Sequence, residues 1–177
     1  MIKVNTEIEL KQLELSDTLD IFNTIDSQRE YLGKWLPFVE FTKALSDTEN
    51  FISSAVNAPK DKFEYIFVIK KLGKFVGLIG FKDTDGLNNK TEMGYWLSQD
   101  YQKQGIVTQS VEKLCEFAFN KLHINRIQIK CAVENHPSRN VPKRLGFQFE
   151  GIERDGELLT GNVYTDLEIY SKLKGDK

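Results

Sequence analysis

The stretch that most constrains the fold is residues 91–110, where an alternating strand pattern passes through a short polar loop into an amphipathic helix. Met93, Tyr95 and Leu97 occupy every second position, which is the period of a strand with one buried face. Beyond the loop, apolar residues recur at helical spacing: Val107, Val111, Leu114, Cys115, Ala118 and Leu122. The stretch therefore predicts a central strand, a polar loop and a long helix with one core-facing side.

The polar loop, from Gln102 to Gly105, ends where the helix begins. The first N–H groups of a helix have no partner within it, and together with the helix dipole they favour a bound anion. Gly105 would let a phosphate approach the backbone closely, and Thr108 and Ser110 would add hydroxyl donors. Taken alone, this local pattern is more typical of an ordinary strand-to-helix turn than of a phosphate site.

A second motif follows the predicted helix, from Asn135 to Phe147. With the loop, it makes the chain resemble the GNAT superfamily of N-acetyltransferases. The pyrophosphate loop of that superfamily reads Gln/Arg-x-x-Gly-x-Gly/Ala, and a later segment reads Asn-x-x-Ser before a short helix ending in Leu-Gly-Phe. The matching positions are Gln102, Gly105, Val107, Asn135, Ser138 and Leu145-Gly146-Phe147. Two motifs at the family's spacing are far more specific than either one alone.

Three residues depart from the pattern or interrupt it. Val107 stands where a small residue is usual, and its branched side chain would crowd a phosphate although its N–H still donates. Lys103 stands where Gly is common. Pro142 falls inside the short helix, and we expect it to limit the regular part to one turn or to lie early in it.

Within the superfamily, residues 29–37 and 92–97 are similar to the ribosomal-protein N-terminal acetyltransferases, and the similarity extends from about Ile8 to Leu173. The resemblance implies one GNAT domain over residues 1–177. It is expected to be of the α+β class, with a mixed, mostly antiparallel central sheet flanked by helices and with splayed central strands. The lack of repeats, linkers and low-complexity tracts in the sequence favours the same single α+β domain.

The resemblance also implies acetyl-CoA as the cofactor and indicates the residues that hold it. The pyrophosphate is expected on Gln102, Lys103, Gln104, Gly105, Ile106, Val107 and Thr108. The pantetheine arm is expected between the strand ending in Trp96, Leu97 and Ser98 and the strand over residues 126–133. The backbone N–H of about Leu97 would hold the thioester carbonyl and stabilise the oxyanion, and Asn135 would bind the pantetheine or the cofactor backbone.

Direct transfer needs an acid for the departing thiolate and a base for the amine, and no covalent enzyme intermediate. In the ribosomal-protein enzymes that this chain resembles, the acid stands at Ser138, and the spacing of their base matches Glu157. Ser138 is equally suited to cap the short helix, and Glu157 is also consistent with a solvated turn. Glu92 is the rival base. Tyr164 and His136 are weaker candidates, more typical of packing or surface positions.

The acceptor is expected to be a primary amine. A protein α-amine has a pKa near 7.7–8.0, whereas that of a lysine is near 10.4, so deprotonating the lysine costs roughly 3–4 kcal/mol more. A single carboxylate therefore favours a protein N-terminus, while a polyamine, an amino sugar or an antibiotic stays an alternative. A non-catalytic acyl-CoA-binding domain is a third, disfavoured by the retained Ser138 and Glu157. Trp35 and Leu36 are candidates for the acceptor wall, in a segment otherwise typical of core.

Elsewhere, periodicity and turn residues predict strands over residues 2–15, 63–70, 74–82, 126–133, 148–154 and 163–173. Helices are predicted over residues 17–25 and from residue 46 to just before Pro59. Asp155-Gly156 is expected to begin the turn between the last two strands.

Composition excludes several classes of protein. A net charge of −2 on 177 residues gives no electrostatic reason to expect nucleic-acid binding. No run approaches the ~20 apolar residues that span a bilayer, so we expect a cytoplasmic protein with no membrane association. Cys115 and Cys131 fall on apolar faces and are expected to be core residues rather than metal ligands. Aromatic residues at positions 31–41 leave a homodimer open.

Overall fold

The computed structural model describes residues 1–59, 62 and 64–176. Its strands are β1 (Ile2–Lys3), β2 (Ile8–Gln12), β3 (Ile66–Lys71), β4 (Lys74–Asp85), β5 (Lys90–Leu97), β6 (Arg126–Ala132), β7 (Gln148–Leu159) and β8 (Val163–Leu173). Its helices are α1 (Thr18–Ser27), α2 (Arg29–Gly33), α3 (Phe38–Phe41), α4 (Leu45–Val56), α5 (Ile106–Lys121) and α6 (His136–Arg144). Short 3₁₀ turns cover Leu15–Asp17 and Gln99–Tyr101.

The strands form one eight-stranded sheet in the order β1-β2-β3-β4-β5-β6-β8-β7. Neighbouring strands are antiparallel except for β5 and β6, which are parallel and are joined through α5. Those two strands pair only where Lys90–Glu92 faces Arg126–Gln128 within the described chain. Beyond Glu92 the ladder ends, so the expected mixed sheet with splayed central strands is confirmed.

Each face of the sheet carries its own core, because side chains alternate along the strands. On the α5 face, buried residues of α5 and α6 pack on the strands, and this core includes Ile79, Met93, Ile106, Leu114, Ile127, Ile129, Cys131 and Val141. On the α1 face, the helices α1 to α4 bury a second core that includes Ile21, Ile25, Leu32, Val39, Ile52, Val68 and Leu78. The cysteines are buried as expected, and burial raises the pKa of Cys115 to about 12 and that of Cys131 to about 11.

The predicted turn at Asp155-Gly156 is wrong, because β7 continues through it as a bulge. The register passes from Glu153 opposite Leu167 to Glu157 opposite Thr165, so residues 154–156 face Asp166 alone. Asp155 takes a left-handed φ of 47°, and its N–H donates to the Asp166 carboxylate at 2.8 Å. The turn itself lies at residues 160–162. A bulge inserts extra residues without ending the ladder, so Glu157 lies on a paired strand and not in a loop.

Other boundaries also differ from the prediction. Residues 2–15 contain two antiparallel strands, β1 and β2, instead of one. β4 runs on to Asp85 and β6 stops at Ala132, while Phe63, the predicted start of β3, lies outside the described residues. Pro142 does not limit α6 to one turn, since the helix continues to Arg144. Among the described residues, no helix has the length and apolar character needed to cross a bilayer.

Candidate active site

The loop between β5 and α5 is shaped by two left-handed residues. Lys103 has φ 60° and Gly105 has φ 71°, which explains why glycine is common at the position of Lys103. Gly105 is the N-cap of α5 and supplies no capping side chain. The first N–H groups of a sixteen-residue helix therefore lie beside a residue without a Cβ, an arrangement that fits a phosphate group.

Side chains of the loop brace it instead of reaching outward. Gln102 Nε2 donates a hydrogen bond to Tyr31 Oη, and Gln104 Oε1 accepts one from Lys71 Nζ at 2.6 Å. Val107 packs against the α5-face core. Its branched side chain therefore points away from the outer face of the loop, which removes the crowding expected from the sequence.

The end of β5 leaves backbone donors facing the gap between the splayed strands. Ser98 N–H donates to Val76 of β4 at 2.8 Å. Because backbone groups alternate along a strand, the N–H groups of Leu97 and Tyr95 point to the opposite side, where β6 has diverged. The Trp96 ring lies elsewhere, packed on Phe75 in the α1-face core with ring centroids 5.7 Å apart.

Ser138 lies at this gap, on the first turn of α6. Asn135 Oδ1 accepts a hydrogen bond from Ser138 N–H at 3.4 Å and caps the helix, so the capping role considered for Ser138 is wrong. Ser138 Oγ is 3.4 Å from Tyr95 Oη on β5 and 3.4 Å from Cys131 Sγ on β6. Its hydroxyl is thus held between the two splayed strands, on the α5 face.

Glu92 is an ion-paired carboxylate on the other face of the sheet. It is 8% exposed, and its oxygens lie 2.9 Å from Lys82 Nζ and 3.9 Å from Lys130 Nζ. Gln128 Nε2 also donates to it at 3.4 Å. Both carboxylate oxygens of Glu92 thus have a cationic or amide partner.

Glu157 differs from Glu92, because its carboxylate has no hydrogen-bond or ion-pair partner among the described residues. Its side chain is half-buried, and burial raises its pKa. The positive charges of Lys82 and Lys130 lower the pKa of Glu157, and the negative charge of Glu92 raises it. Glu157 therefore lies beside these three charged side chains, on the α1 face of the sheet. A desolvated carboxylate with free oxygens is suited to accept a proton.

The predicted acceptor wall lies at the end of α2. Leu36 packs into the α1-face core, while Trp35 is half-buried with Lys34 Nζ 5.1 Å from its ring. Thr160 Oγ1 donates to the Gly33 carbonyl at 3.3 Å and ties the β7–β8 hairpin to α2. The hairpin that carries Glu157 and the segment that carries Trp35 therefore adjoin.

Three residues near the site were not singled out by sequence reasoning: Gln28, Tyr31 and Tyr95. Gln28 and Tyr31 lie about seventy residues before their partners in the loop, and neither belongs to a motif. The sequence pattern around Tyr95 predicts only that it lies on the buried face of a strand. No local pattern distinguishes these side chains from ordinary packing.

Comparison with known proteins shows the family to which this chain belongs. The family description "Acetyltransferase (GNAT) domain" matches residues 7–148. The putative ribosomal N-acetyltransferase YdaF of Bacillus subtilis (strain 168) is 36% identical over 97% of this chain and 94% of its own length. The ribosomal-protein-serine acetyltransferase of Escherichia coli (strain K12) is 28% identical over 97% of this chain and 96% of its own length.

Among solved structures, this chain is similar to RimL, a ribosomal L7/L12 α-N-protein acetyltransferase in complex with coenzyme A. The two superpose with a TM-score of 0.93 at 25% sequence identity, over 99% of each chain. Fold and sequence thus agree over nearly the whole length. The chain belongs to the acetyltransferase (GNAT) family and is an N-acetyltransferase.

Proposed function

We propose that this chain transfers the acetyl group of acetyl-CoA directly to the N-terminal α-amine of a protein, in a ternary complex of the ribosomal-protein serine type. One observation carries the proposal. The hydroxyl of Ser138 and the unpaired carboxylate of Glu157 lie on opposite faces of the sheet, near the gap that opens where β5 and β6 diverge. An acid and a base on either side of one opening suit a transfer in which the amine enters from one face and the thiol leaves on the other.

The residues present fit acetyl-CoA. The N–H groups at the start of α5, beside Gly105, would hold the pyrophosphate. Leu97 N–H would hold the thioester carbonyl and stabilise negative charge developing on its oxygen. When bound, acetyl-CoA supplies the activated acetyl group.

The two side chains then move the protons. Glu157 accepts a proton from the attacking amine, directly or through one water, and its raised pKa makes it a stronger base than an exposed carboxylate. Ser138 Oγ donates a proton to the departing sulfur from its position between the strands. Glu92 stays ion-paired and modulates the charge around Glu157.

An N-terminal amine is the acceptor that best suits a single carboxylate base, since its pKa lies about 2.5 units below that of a lysine. Two similar proteins point to the same class of acceptor. One is named a ribosomal-protein-serine acetyltransferase, and the other an α-N-protein acetyltransferase of ribosomal L7/L12.

The test is acetyl-CoA-dependent thiol release with a Ser-starting peptide, the same peptide blocked at its α-amine but retaining a lysine, spermidine and an aminoglycoside. Turnover only with the free α-amine would support the proposal. Turnover with spermidine or the aminoglycoside, but not the peptide, would contradict it in favour of a small-molecule acceptor. Release with none of them would contradict the proposed acceptor class.

A further inference from the structure

Pro142 lies four residues after Ser138 in α6. In an α-helix the carbonyl of one residue accepts a hydrogen bond from the N–H four residues later, and proline has no N–H. The Ser138 carbonyl is therefore left without that intrahelical partner. It accepts a hydrogen bond from Tyr95 Oη at 3.1 Å instead.

Tyr95 projects from β5 on the α5 face and makes two contacts with Ser138. Its single hydroxyl proton is used on the Ser138 carbonyl, so toward Ser138 Oγ, at 3.4 Å, it is an acceptor. Burial raises the pKa of Tyr95 well above its ordinary value. The phenol therefore stays protonated and keeps its donor role at any pH at which the enzyme would work.

The second neighbour of the hydroxyl is a weaker partner. Cys131 Sγ lies 3.4 Å from Ser138 Oγ, and burial keeps this cysteine a neutral thiol. A thiol is a weak donor and a weak acceptor. It makes no hydrogen bond with the Ser138 carbonyl, and it lies on β6, so it does not fix the backbone of α6 relative to β5.

We propose that Tyr95 is the positioning residue for Ser138, and that Pro142 makes this possible by leaving the Ser138 carbonyl open to it. The inference rests on the proposed role of Ser138 as proton donor. Tyr95 lies on β5, the strand whose Leu97 N–H faces the gap. The tyrosine thus fixes the acid relative to the site of reaction, where small displacements cost much of the rate.

The first test is Tyr95→Phe, which removes both contacts and keeps the ring. The value of kcat should fall about tenfold, while KM for acetyl-CoA and for the acceptor stays within about twofold. In a Ser138→Ala background the same substitution should cause no further fall, because there is no hydroxyl left to position. A purely structural role would reduce kcat equally in both backgrounds.

Tyr170→Phe is the matched control, since Tyr170 is also a buried tyrosine whose hydroxyl is hydrogen-bonded, in its case to Glu168. It should leave kcat within about twofold. Pro142→Ala is the second variant, and it restores an N–H that competes for the Ser138 carbonyl. Its kcat should fall, with no further fall when combined with Tyr95→Phe, and thermal unfolding should show both single variants folded.

Two results would overturn the inference while leaving the proposed function intact. One is an unchanged kcat in Tyr95→Phe when Ser138→Ala is impaired, and the other is the same fall with and without the Ser138 hydroxyl. A wild-type kcat in Ser138→Ala would instead remove Ser138 from the proposed mechanism, and the inference would fall with it.

Discussion

Gln28 Oε1 accepts a hydrogen bond from the backbone N–H of Gln99 at 2.8 Å, and Gln28 Nε2 donates one to Ser98 Oγ at 2.9 Å. One side chain at the end of α1 thus holds the backbone at the point where β5 passes into the loop before α5. Tyr31 holds the same loop through Gln102. The helices α1 and α2 are thereby attached to the candidate pyrophosphate loop.

Gln28→Ala should therefore weaken acetyl-CoA binding. A net loss of about 1 kcal/mol from these bonds corresponds to roughly a fivefold rise in Kd, measurable by calorimetry. Thr24→Ala is a control on the same helix, because the Thr24 hydroxyl bonds only to the Asp20 carbonyl at an exposed position. An equal rise in Kd for both variants would show that α1 acts through general stability and not through this contact.

Gly105→Ala should lower both stability and cofactor affinity. Its φ of 71° costs an L-residue roughly 1–2 kcal/mol, and the new Cβ would stand where the phosphates are expected, 3.3 Å from Gln109 Nε2. Gly73→Ala is the matched control, because Gly73 has φ 78°, nothing within 4 Å of its Cβ position, and a place in the β3–β4 turn. Both variants should lose similar stability, and only Gly105→Ala should raise the Kd for acetyl-CoA. Equal Kd values would place the pyrophosphate elsewhere.

The pH dependence of kcat/KM should report the protonation of Glu157. Below the pKa of an α-amine acceptor, the plot of log(kcat/KM) against pH should have a slope of about one, because the amine must lose a proton. Below the raised pKa of Glu157 the slope should approach two, since the base is then also protonated. Glu157→Gln should lower the rate and keep a slope of one throughout. An unchanged profile would remove Glu157 from the mechanism.

Glu92→Gln should shift the same break in slope to lower pH. The negative charge of Glu92 raises the pKa of Glu157, and removing it also frees Lys82 and Lys130 to lower that pKa further. The variant should retain turnover above the break, as measured by thiol release at neutral pH. Complete loss of turnover there would favour Glu92 as the base.

Gly156→Ala should destabilise the protein by about 1–3 kcal/mol, as overpacking does. A Cβ at Gly156 would lie 2.9 Å from both Cγ and Cδ1 of the Leu167 side chain. Because the bulge sets the register of Glu157, turnover should fall as well. Gly94→Ala is the stability control, since only Lys82 Cε lies within 4 Å, at 3.8 Å. Equal free energies of unfolding for the two variants in chemical denaturation would show that a Cβ at Gly156 does not overpack Leu167.

Glu150 should contribute stability that depends on pH. Arg126 binds it through both guanidinium ends and Ser171 donates to it at 2.7 Å, which lowers its pKa to about 2. A carboxylate with a lowered folded-state pKa stabilises the fold above its unfolded value of 4.5, and this stability is lost as pH falls toward about 2. Glu150→Gln should cost about 0.5–1 kcal/mol at neutral pH after allowance for solvent screening. The difference from wild type should vanish in acid, and a constant difference would show that packing is responsible.

Much of the fold was predictable because it depends on local periodicity. The alternation around Met93, Tyr95 and Leu97 and the helical stripe that follows predicted β5 and α5, and the structure confirms both. The family was also predictable from local sequence, in the loop before α5 and in the Asn135 to Phe147 segment. A left-handed glycine and a helix cap each depend on only a few neighbouring residues, so both leave a recognisable local motif. The sequence predicts that Val107 crowds the phosphates, and only its packing into the core shows which way the side chain points.

The sequence by itself thus determined most of the strands, the long helix α5 and the family, and it predicts the residues of the cofactor loop. Tertiary structure decided what those residues touch. Asp155-Gly156 is compatible with a turn or a bulge, and pairing with β8 selects the bulge. Contacts such as Gln28 with Gln99 join positions about seventy residues apart, and local periodicity contains no information about them. They form only when two faces of one sheet are packed, because hydrogen bonds need distances that the folded chain alone provides.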